Sequence, residues 1–183
     1  TATDNCDNTP FVAHTDVVVP GQCAQEMTIY RTWTATDDCL NASTCLQIIS
    51  VQDNTPPTFT ECPGDVTIEC DESTSPDVLG VASATDMCDP EVEVSMNDMT
   101  IEGPCPQSYT IERTWTAVDD CGNESTCLQI ITVEDTTPPT FVCAENVTIE
   151  CDESTLPDNT GYTVGSDNCD PDPEETYLDN IIG

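Results

Sequence analysis

The 183-residue chain carries 36 acidic residues against two arginines and no lysine, so its formal net charge at pH 7 is -34. Nucleic acids and anionic membranes are bound through clusters of Lys and Arg, so this charge argues against both as partners. The absence of lysine also removes Schiff-base chemistry and Lys–Asn isopeptide crosslinks, and no run of about 18 apolar residues is present for membrane insertion.

The thirteen cysteines indicate the compartment in which the protein works. Such a density is typical of disulfide-bonded secreted domains, so we expect an extracellular protein, secreted or displayed on a cell surface. The chain shows no signal peptide and begins inside a strand-like repeat, so we expect it to be processed or cut from a longer protein.

An internal repeat of about 82 residues organises the chain. Six cysteine positions recur at this period: Cys23 and Cys105, Cys39 and Cys121, Cys45 and Cys127, Cys62 and Cys143, Cys70 and Cys151, Cys88 and Cys169. The Asp-x-Thr-Pro-Pro-Thr-Phe segments at 53–59 and 135–141 serve as boundaries. They predict the C-terminal part of a repeat at 1–54, a complete repeat at 55–136 and the N-terminal part of a further repeat at 137–183.

Alternating apolar residues separated by turn residues predict the strands of the complete repeat. In chain order these are a strand with Val66, Ile68 and Cys70 on one face, a strand at about 78–85, a strand with Val92, Val94 and Met96 on one face, and a hairpin at 109–135. No amphipathic helix of ten or more residues is visible. Short strands at this spacing predict an all-β fold of tandem immunoglobulin-like antiparallel β-sandwich domains, rich in disulfides.

The hairpin sequence occurs twice, at 31–53 and at 113–135. In the second copy Ile111, Arg113, Trp115 and Ala117 alternate with polar residues, which predicts one inward face. This phase favours core packing over carbohydrate binding for Trp115 and its counterpart Trp33. The return strand from Cys127 has apolar residues on both faces, so we expect it to be buried. Both arginines, at matched strand positions among carboxylates, are expected to be paired.

Several motifs resemble the hyalin-repeat family of HYR-like immunoglobulin-like domains. They are Pro-Pro-Thr-Phe before a cysteine, Cys62-Pro63, the Thr-Ala-Val-Asp-Asp-Cys-Gly-Asn turn at 116–123, and the strand from Cys127 to Asp135. The resemblance covers essentially the whole chain. It implies extracellular modules in tandem arrays, associated with adhesion and matrix, and no catalysis. Six cysteines per repeat exceed the number in many hyalin repeats.

Six cysteines allow fifteen pairings, and an up-and-down trace of the strands restricts them. The trace predicts three disulfides in the complete repeat: Cys70–Cys105, Cys62–Cys127 and Cys88–Cys121. In residues 1–54, the N-terminal portion of the chain, the pairing that corresponds to Cys88–Cys121 is Cys6–Cys39. Cys169 occupies the same repeat position as Cys6 and is therefore an alternative partner for Cys39. Zinc is the competing interpretation, but the C-x2-C spacing of zinc ribbons is absent and the chain has a single histidine.

The same trace brings acidic turns together at each linker, which predicts calcium, a cation that takes six to eight oxygen ligands. The predicted ligands at the first linker are Asp53, Asn54, Asp86, Asp89, Asp119 and Asp120. Those at the second are Glu69, Asp71, Glu72, Asp135, Asp167 and Asp170. The alternative is that these are solvated turn residues; their recurrence at the same two turns and at the linker favours calcium.

Three asparagines lie in N-x-[ST] sequons and are candidate glycosylation sites if the source organism modifies them: Asn41, Asn123 and Asn146. An enzyme is not expected, because the chain shows no nucleophile–base pair and no glycine-rich loop. Adjacent carboxylates such as Asp119 and Asp120 are also unlike a pair set across a cleft.

The sequence therefore predicts a structural extracellular protein: a tandem-repeat fibre or matrix component stabilised by intradomain disulfides and interdomain calcium. The alternative is an adhesin module that binds glycan or a surface. The incomplete ends predict partners as well, namely neighbouring copies or repeats joined head to tail in a filament. Such a junction would pair Cys45 with Cys143 and Cys23 with Cys151 across the boundary, unless the chain is a slice of one long array.

Overall fold

A computed structural model describes residues 1–180, so the last three residues of the predicted portion 137–183 lie outside the described residues. The described chain is all-β with antiparallel sheets, as the sequence predicts. Its helical content is limited to two four-residue turns. Among the described residues no helix has the length and hydrophobicity to span a membrane.

The N-terminal portion forms a three-stranded antiparallel sheet. Its strands are β1 (Phe11–Pro20), β2 (Met27–Thr36) and β3 (Ala42–Val51), in that order. The turn between β2 and β3 is held by the Asp37 carboxylate, whose Oδ1 accepts hydrogen bonds from the backbone N–H groups of Cys39 and Asn41 at 2.9 and 2.7 Å. Leu40 in this turn has a φ of +67°, and Gly122 has a φ of +83° at the matching place in the complete repeat.

The complete repeat contributes seven elements. They are β4 (Thr58–Glu61), β5 (Val66–Glu69), α1 (Pro76–Leu79), β6 (Ser83–Thr85), β7 (Glu93–Glu102), β8 (Tyr109–Val118) and β9 (Glu124–Glu134). β4 pairs antiparallel with β6, and the larger sheet has the order β5-β9-β8-β7. β5 runs parallel to β9, with Val66 opposite Ile131 and Glu69 opposite Glu134.

The second predicted strand is shorter than expected. It was placed at about 78–85, whereas the structure has a strand only at 83–85. Pro76 begins the helical turn α1 instead, and the Ser75 hydroxyl caps it by accepting the Asp77 N–H. Proline is pre-set for the first helical position, which explains the difference.

The C-terminal portion contains β10 (Thr140–Val142), α2 (Pro157–Thr160) and β11 (Val164–Ser166). β10 and β11 pair antiparallel. The sequence at 147–150, Val-Thr-Ile-Glu, is identical to that of β5 but forms neither strand nor helix.

By its packing the described chain divides into two compact units. The first comprises residues 1–62, 82–96 and 114–127, and the second comprises residues 63–81, 97–113 and those from 128 onward. The second unit holds a core of Ile111, Ile131 and Val133, packed with Val66, Ile68, Cys70, Leu79 and Tyr109. The first unit buries Trp115 and Ala117 together with three carboxylates, Asp53, Asp89 and Asp119.

The hairpin strands show the predicted period of two, with one correction. Along β8 every second residue from Ile111 to Asp119 is buried, and Trp115 is a core residue as expected. Along β9 burial also alternates, so Gln129 and Ile131 are fully buried whereas Leu128 is 52 % exposed. The return strand is therefore buried on one face only, and the prediction that it is buried on both is wrong.

Both arginines are paired, as predicted. Arg31 on β2 lies opposite Asp16 on β1 and contacts both carboxylate oxygens, at 2.9 and 2.8 Å. Arg113 makes the equivalent contacts with Asp98 at 2.8 and 2.9 Å, and its Nη2 also donates to the Thr74 carbonyl. The two pairs differ in burial: the Arg113 side chain is 3 % exposed and that of Arg31 is 27 % exposed.

We expect Asp98→Ala to lower the free energy of unfolding by about 3 kcal/mol, because it leaves a buried guanidinium without its counter-charge. The matched change Asp16→Ala removes an exposed pair and should cost less than about 1 kcal/mol. Urea unfolding with the disulfides intact measures both values. Equal losses in the two variants would contradict the difference in burial.

Protonation of Asp98 at low pH should remove the stabilisation by the Asp98–Arg113 pair, as Asp98→Ala does. Hydrogen bonds from Arg113 hold the pKa of Asp98 below the ordinary value of 3.8. A lowered native pKa contributes stability above the unfolded pKa, and that contribution is lost as the pH falls through the native value. The extra stability should therefore disappear below about pH 3.8 in the parent chain, whereas Asp98→Ala should lack this component.

Candidate functional site

The first candidate site is the linker cluster, which we define as Asp53, Asp86 and Cys88. One ligand atom from each lies within 4.8 Å of the other two. Asp53 is only 5 % exposed; its Oδ1 accepts the Thr55 N–H at 3.1 Å, while its Oδ2 is buried without a partner. A buried carboxylate oxygen without a donor is costly, and a bound cation would satisfy it.

Two other predicted ligands are already occupied by hydrogen bonds. The Asp89 carboxylate accepts the backbone N–H of Glu91 at 2.9 Å and that of Asp120 at 2.8 Å. Asp119 accepts the backbone N–H groups of Cys121 and Asn123 on Oδ1 and the Asn123 side chain on Oδ2. These buried carboxylates therefore hold the turns in place and have few free lone pairs for a metal.

The charge of Asp119 is favoured despite its burial. Desolvation raises its pKa, but the hydrogen bonds from the Asn123 side chain and backbone, and from the backbone of Cys121 and Gly122, outweigh it. The net effect lowers the pKa of Asp119 below its usual range. The turn thus keeps a fixed negative charge beside the linker cluster.

The second candidate site is the distal cluster, defined as Glu69, Asp135 and Cys169. One ligand atom from each again lies within 4.8 Å of the others. The Glu69 carboxylate also accepts the N–H and the hydroxyl of Thr136, the residue that follows Asp135. Asp135 and Cys169 are the repeat equivalents of Asp53 and Cys88, whereas the third member differs, because Glu69 takes the place that Asp86 has in the linker cluster.

The structure brings together only part of each predicted calcium set. Asp53 and Asp86 converge at the first linker, and Glu69 and Asp135 at the second. Predicted ligands outside these clusters are Asn54, Asp71, Glu72, Asp89, Asp119, Asp120, Asp167 and Asp170. Of these, Asn54, Asp71 and Asp120 are exposed, whereas Asp167 accepts the N–H groups of Cys169 and Asp170 and keeps a buried Oδ2 without a partner.

The cysteine in each cluster limits the chemistry. A thiolate with two carboxylates would suit a softer metal such as zinc. The pKa of the Cys88 thiol is raised, first by desolvation and then by Asp53, Asp86 and Asp119, so this cysteine is held protonated. Its equivalent Cys169 is disulfide-bonded. The carboxylate oxygens are therefore the atoms available at both places, and oxygen suits calcium.

Three disulfides are formed: Cys62–Cys127, Cys23–Cys121 and Cys70–Cys169. Their Cα–Cα distances of 6.3, 5.1 and 5.8 Å lie within the usual range. The first is the predicted pairing. Such bonds persist in oxidising compartments, so they indicate a protein outside the cytoplasm.

Three of the other predicted pairings are wrong, namely Cys70–Cys105, Cys88–Cys121 and Cys23–Cys151. Cys70 bonds Cys169 instead of Cys105. Cys121 bonds Cys23, so that Cys121 is not paired with Cys88 and Cys23 is not paired with Cys151 of another copy. Cys6 and Cys39 are both unbonded. These differences have one physical origin. The prediction assumed that cysteines pair within a repeat, whereas these two disulfides take one cysteine from each of two successive repeats.

The sequons differ in what glycosylation would disturb. Both the Asp53 carbonyl and the Asp119 carboxylate accept hydrogen bonds from Asn123 Nδ2, at 3.2 and 2.8 Å. Asn41 Nδ2 donates to Asp37, and Asn146 is exposed. Asn123 thus ties the turn to the linker, a role that the sequence alone does not predict. The sequence feature that corresponds to this role is the recurrence of Asp-Asp-Cys-x-Asn in both hairpins, a pattern that by itself predicts a turn and a sequon.

No family model matches this sequence, and no curated protein matches it. The assignment of a role therefore rests on the geometry of the clusters and of the disulfides.

Peptide mapping of the unreduced protein should recover three linked pairs: 23 with 121, 62 with 127, and 70 with 169. Trypsin cuts only at the two arginines, so an Asp-specific protease is the appropriate reagent. Recovery of Cys70 with Cys105 as the major product would contradict the pairing between repeats. Mapping after reduction and alkylation serves as the control for non-covalent association.

Proposed function

We propose that the protein is a structural component of an extracellular fibre or matrix, built from tandem repeats of the hyalin-repeat kind in immunoglobulin-like sandwiches. The observation that carries this proposal is the disulfide pattern. Cys23–Cys121 and Cys70–Cys169 each bridge a linker, the first across 53–57 and the second across 135–139. Successive repeats are therefore joined covalently beyond the backbone itself.

The three disulfides shorten the covalent path that carries tension. Without them, residues 23–169 can be pulled out to about 500 Å at roughly 3.4 Å per residue. With them, the load passes from Cys23 to Cys121, along residues 121–127, across to Cys62, along 62–70 and on to Cys169. Those two segments extend to about 50 Å. Such a chain resists extension without depending on its thin cores.

An adhesive function is the competing proposal, and its strongest support is a cavity of about 640 Å³ beside Trp33 in the N-terminal portion. Aromatic rings in open cavities suit sugar rings. The equivalent Trp115 in the complete repeat, however, is only 4 % exposed. This strand position is thus a core position in the complete repeat, and the Trp33 Nε1 is already engaged by Gln47 Oε1 at 3.0 Å, which favours the structural role.

Antibodies against the complete repeat should label extracellular fibres of the source cells in electron micrographs, at intervals along each fibre. Mild reduction should loosen those fibres, because it cuts the bonds between repeats. Recovery of the chain as a monomer that binds sugars on a glycan array would contradict the fibre role and support the adhesin.

The proposal includes calcium at the two clusters. Support comes from the buried and unpartnered Asp53 Oδ2, which no hydrogen-bond donor satisfies. The fixed negative charge of Asp119 and the net charge of -34 add attraction for a divalent cation. Extracellular modules of this kind bind calcium with a Kd of about 0.1 to 1 mM.

Saturating calcium should raise the free energy of unfolding by about 1 to 3 kcal/mol, as expected for ligand present at 10 to 100 times Kd. Asp53→Asn should abolish this gain and, in calcium-free buffer, raise the stability, because it removes an uncompensated buried charge. Thermal melts with and without chelator measure both effects. Asp120→Asn, an exposed neighbour, is the control and should keep the calcium response. An Asp53→Asn variant with an unchanged response would place calcium elsewhere.

A further inference from the structure

We infer that the free edge of β3 binds residues 143–150 of a second copy of this chain as an added parallel strand, closed by a Cys45–Cys143 disulfide. The inference rests on the proposed fibre role and identifies the surfaces that would join its copies. The proposed contact copies one that the complete repeat already makes, the parallel pairing of β5 with β9.

In the complete repeat the strand Val-Thr-Ile-Glu of β5 pairs with Ile131–Glu134 of β9. The same four residues recur at 147–150, and the β9 residues correspond to 49–52 at the end of β3. The added strand would therefore place Val147 opposite Ile49 and Ile149 opposite Val51. Main-chain hydrogen bonds to a free sheet edge are an established mode of binding.

Both surfaces are unpartnered in this chain. β3 is the edge strand of its sheet, and Val51 is 39 % exposed, whereas its equivalent Val133 is 1 % exposed under β5. On the other side Val147 is 55 % exposed, in a segment that forms no strand. The residues that bury each other in the complete repeat thus remain uncovered at the two ends.

Side-chain contacts distinguish the covered from the uncovered state. In the complete repeat Gln129 Nε2 donates to the carbonyl of Gly64, which lies just before β5, and to that of Leu79 at the end of α1. The equivalent Gln47 has no such strand beside it, and its Oε1 accepts from Trp33 Nε1 at 3.0 Å instead. Gln47 is therefore free to turn towards an added strand, as Gln129 does.

A second polar contact at the β5–β9 pairing also has a counterpart at the proposed junction. The Asp65 carboxylate accepts the Ile130 N–H at 2.8 Å, at the start of the β5–β9 pairing. The equivalent residues are Asn146 and Ile48, and an asparagine Oδ1 can accept the same bond. The register that aligns the two Val-Thr-Ile-Glu segments therefore aligns this contact too.

The unbonded cysteines fit one pairing rule. Cys62–Cys127 joins the two positions that are represented at the ends by Cys143 and Cys45, both unbonded and exposed. The same pairing rule applies across a junction of two copies. There the counterpart of Cys23–Cys121 joins Cys105 of the first copy to Cys39 of the second, and the counterpart of Cys70–Cys169 joins Cys151 of the first copy to Cys88 of the second. Of the seven unbonded cysteines only Cys6 is left over, because Cys169 of the first copy already occupies its position.

Closure requires an oxidant, for which a low-molecular-weight disulfide suffices. The Cys45 thiolate attacks one sulfur of that disulfide, which gives a mixed disulfide and releases one thiol. The Cys143 thiolate of the other copy then attacks the Cys45 sulfur and releases the second thiol. Two electrons pass from the protein thiols to the oxidant, and the two protons leave with its thiols.

The test mixes isotopically light and heavy preparations of the whole 183-residue chain with oxidised glutathione. Mass spectrometry then quantifies peptides that link Cys45 of one preparation to Cys143 of the other. We expect a ladder of covalent oligomers containing this link. Ile149→Asp puts a charge on the face that packs inward and should reduce the yield at least tenfold. Thr148→Asp lies on the opposite, outward face and should leave the yield unchanged.

The Cys70–Cys169 peptide reports that each variant is folded, and the half-exposed position of Ile149 outside any strand makes its replacement tolerable. A parent chain that stays monomeric, or an equal yield from both variants, would overturn the inference. Antibody-labelled native fibres together with no Cys45–Cys143 link would reject this junction while leaving the fibre role intact.

Discussion

Covalent bonds between successive repeats are the constraint on which the rest of this structure depends. The buried apolar residues are few, and in the second unit they form a cluster of three buried side chains with partly buried neighbours. Domains with so little core are marginal by burial alone. Two of the three disulfides cross a linker, so they restrict the unfolded chain over long loops, where cross-links have the greatest effect on entropy.

Carboxylates do the local work that apolar side chains do in larger domains. Asp37, Asp86 and Asp119 each accept backbone N–H groups within their own turn, and Asp89 reaches across to a second turn. Hydrogen bonds of this kind offset the cost of placing carboxylates within the turns. Asp53 differs from these carboxylates because its buried Oδ2 has no partner, which is the observation behind the calcium proposal.

The two arginines show how burial changes the weight of one interaction. Both occupy the same strand position and both form a two-point contact with an aspartate fifteen residues earlier. In the N-terminal portion the pair is partly exposed, whereas in the complete repeat the guanidinium is buried and reaches the Thr74 carbonyl as well. The additional contact comes from the loop between β5 and α1.

The sequence by itself determined the all-β class, the hairpin with its inward Trp115, the paired arginines and the Cys62–Cys127 bond, because period, repeat spacing and charge act locally or within one trace. It also identified Asp53 with Asp86 and Glu69 with Asp135 as neighbours. Only the tertiary structure decided that Cys70 and Cys121 form disulfides with cysteines of adjacent repeats. It also decided that the Asp89 and Asp119 carboxylates accept hydrogen bonds from turn residues, and that Asn123 donates to the linker. Those outcomes depend on which residues meet across long stretches of chain, and a one-dimensional pattern carries no such distance.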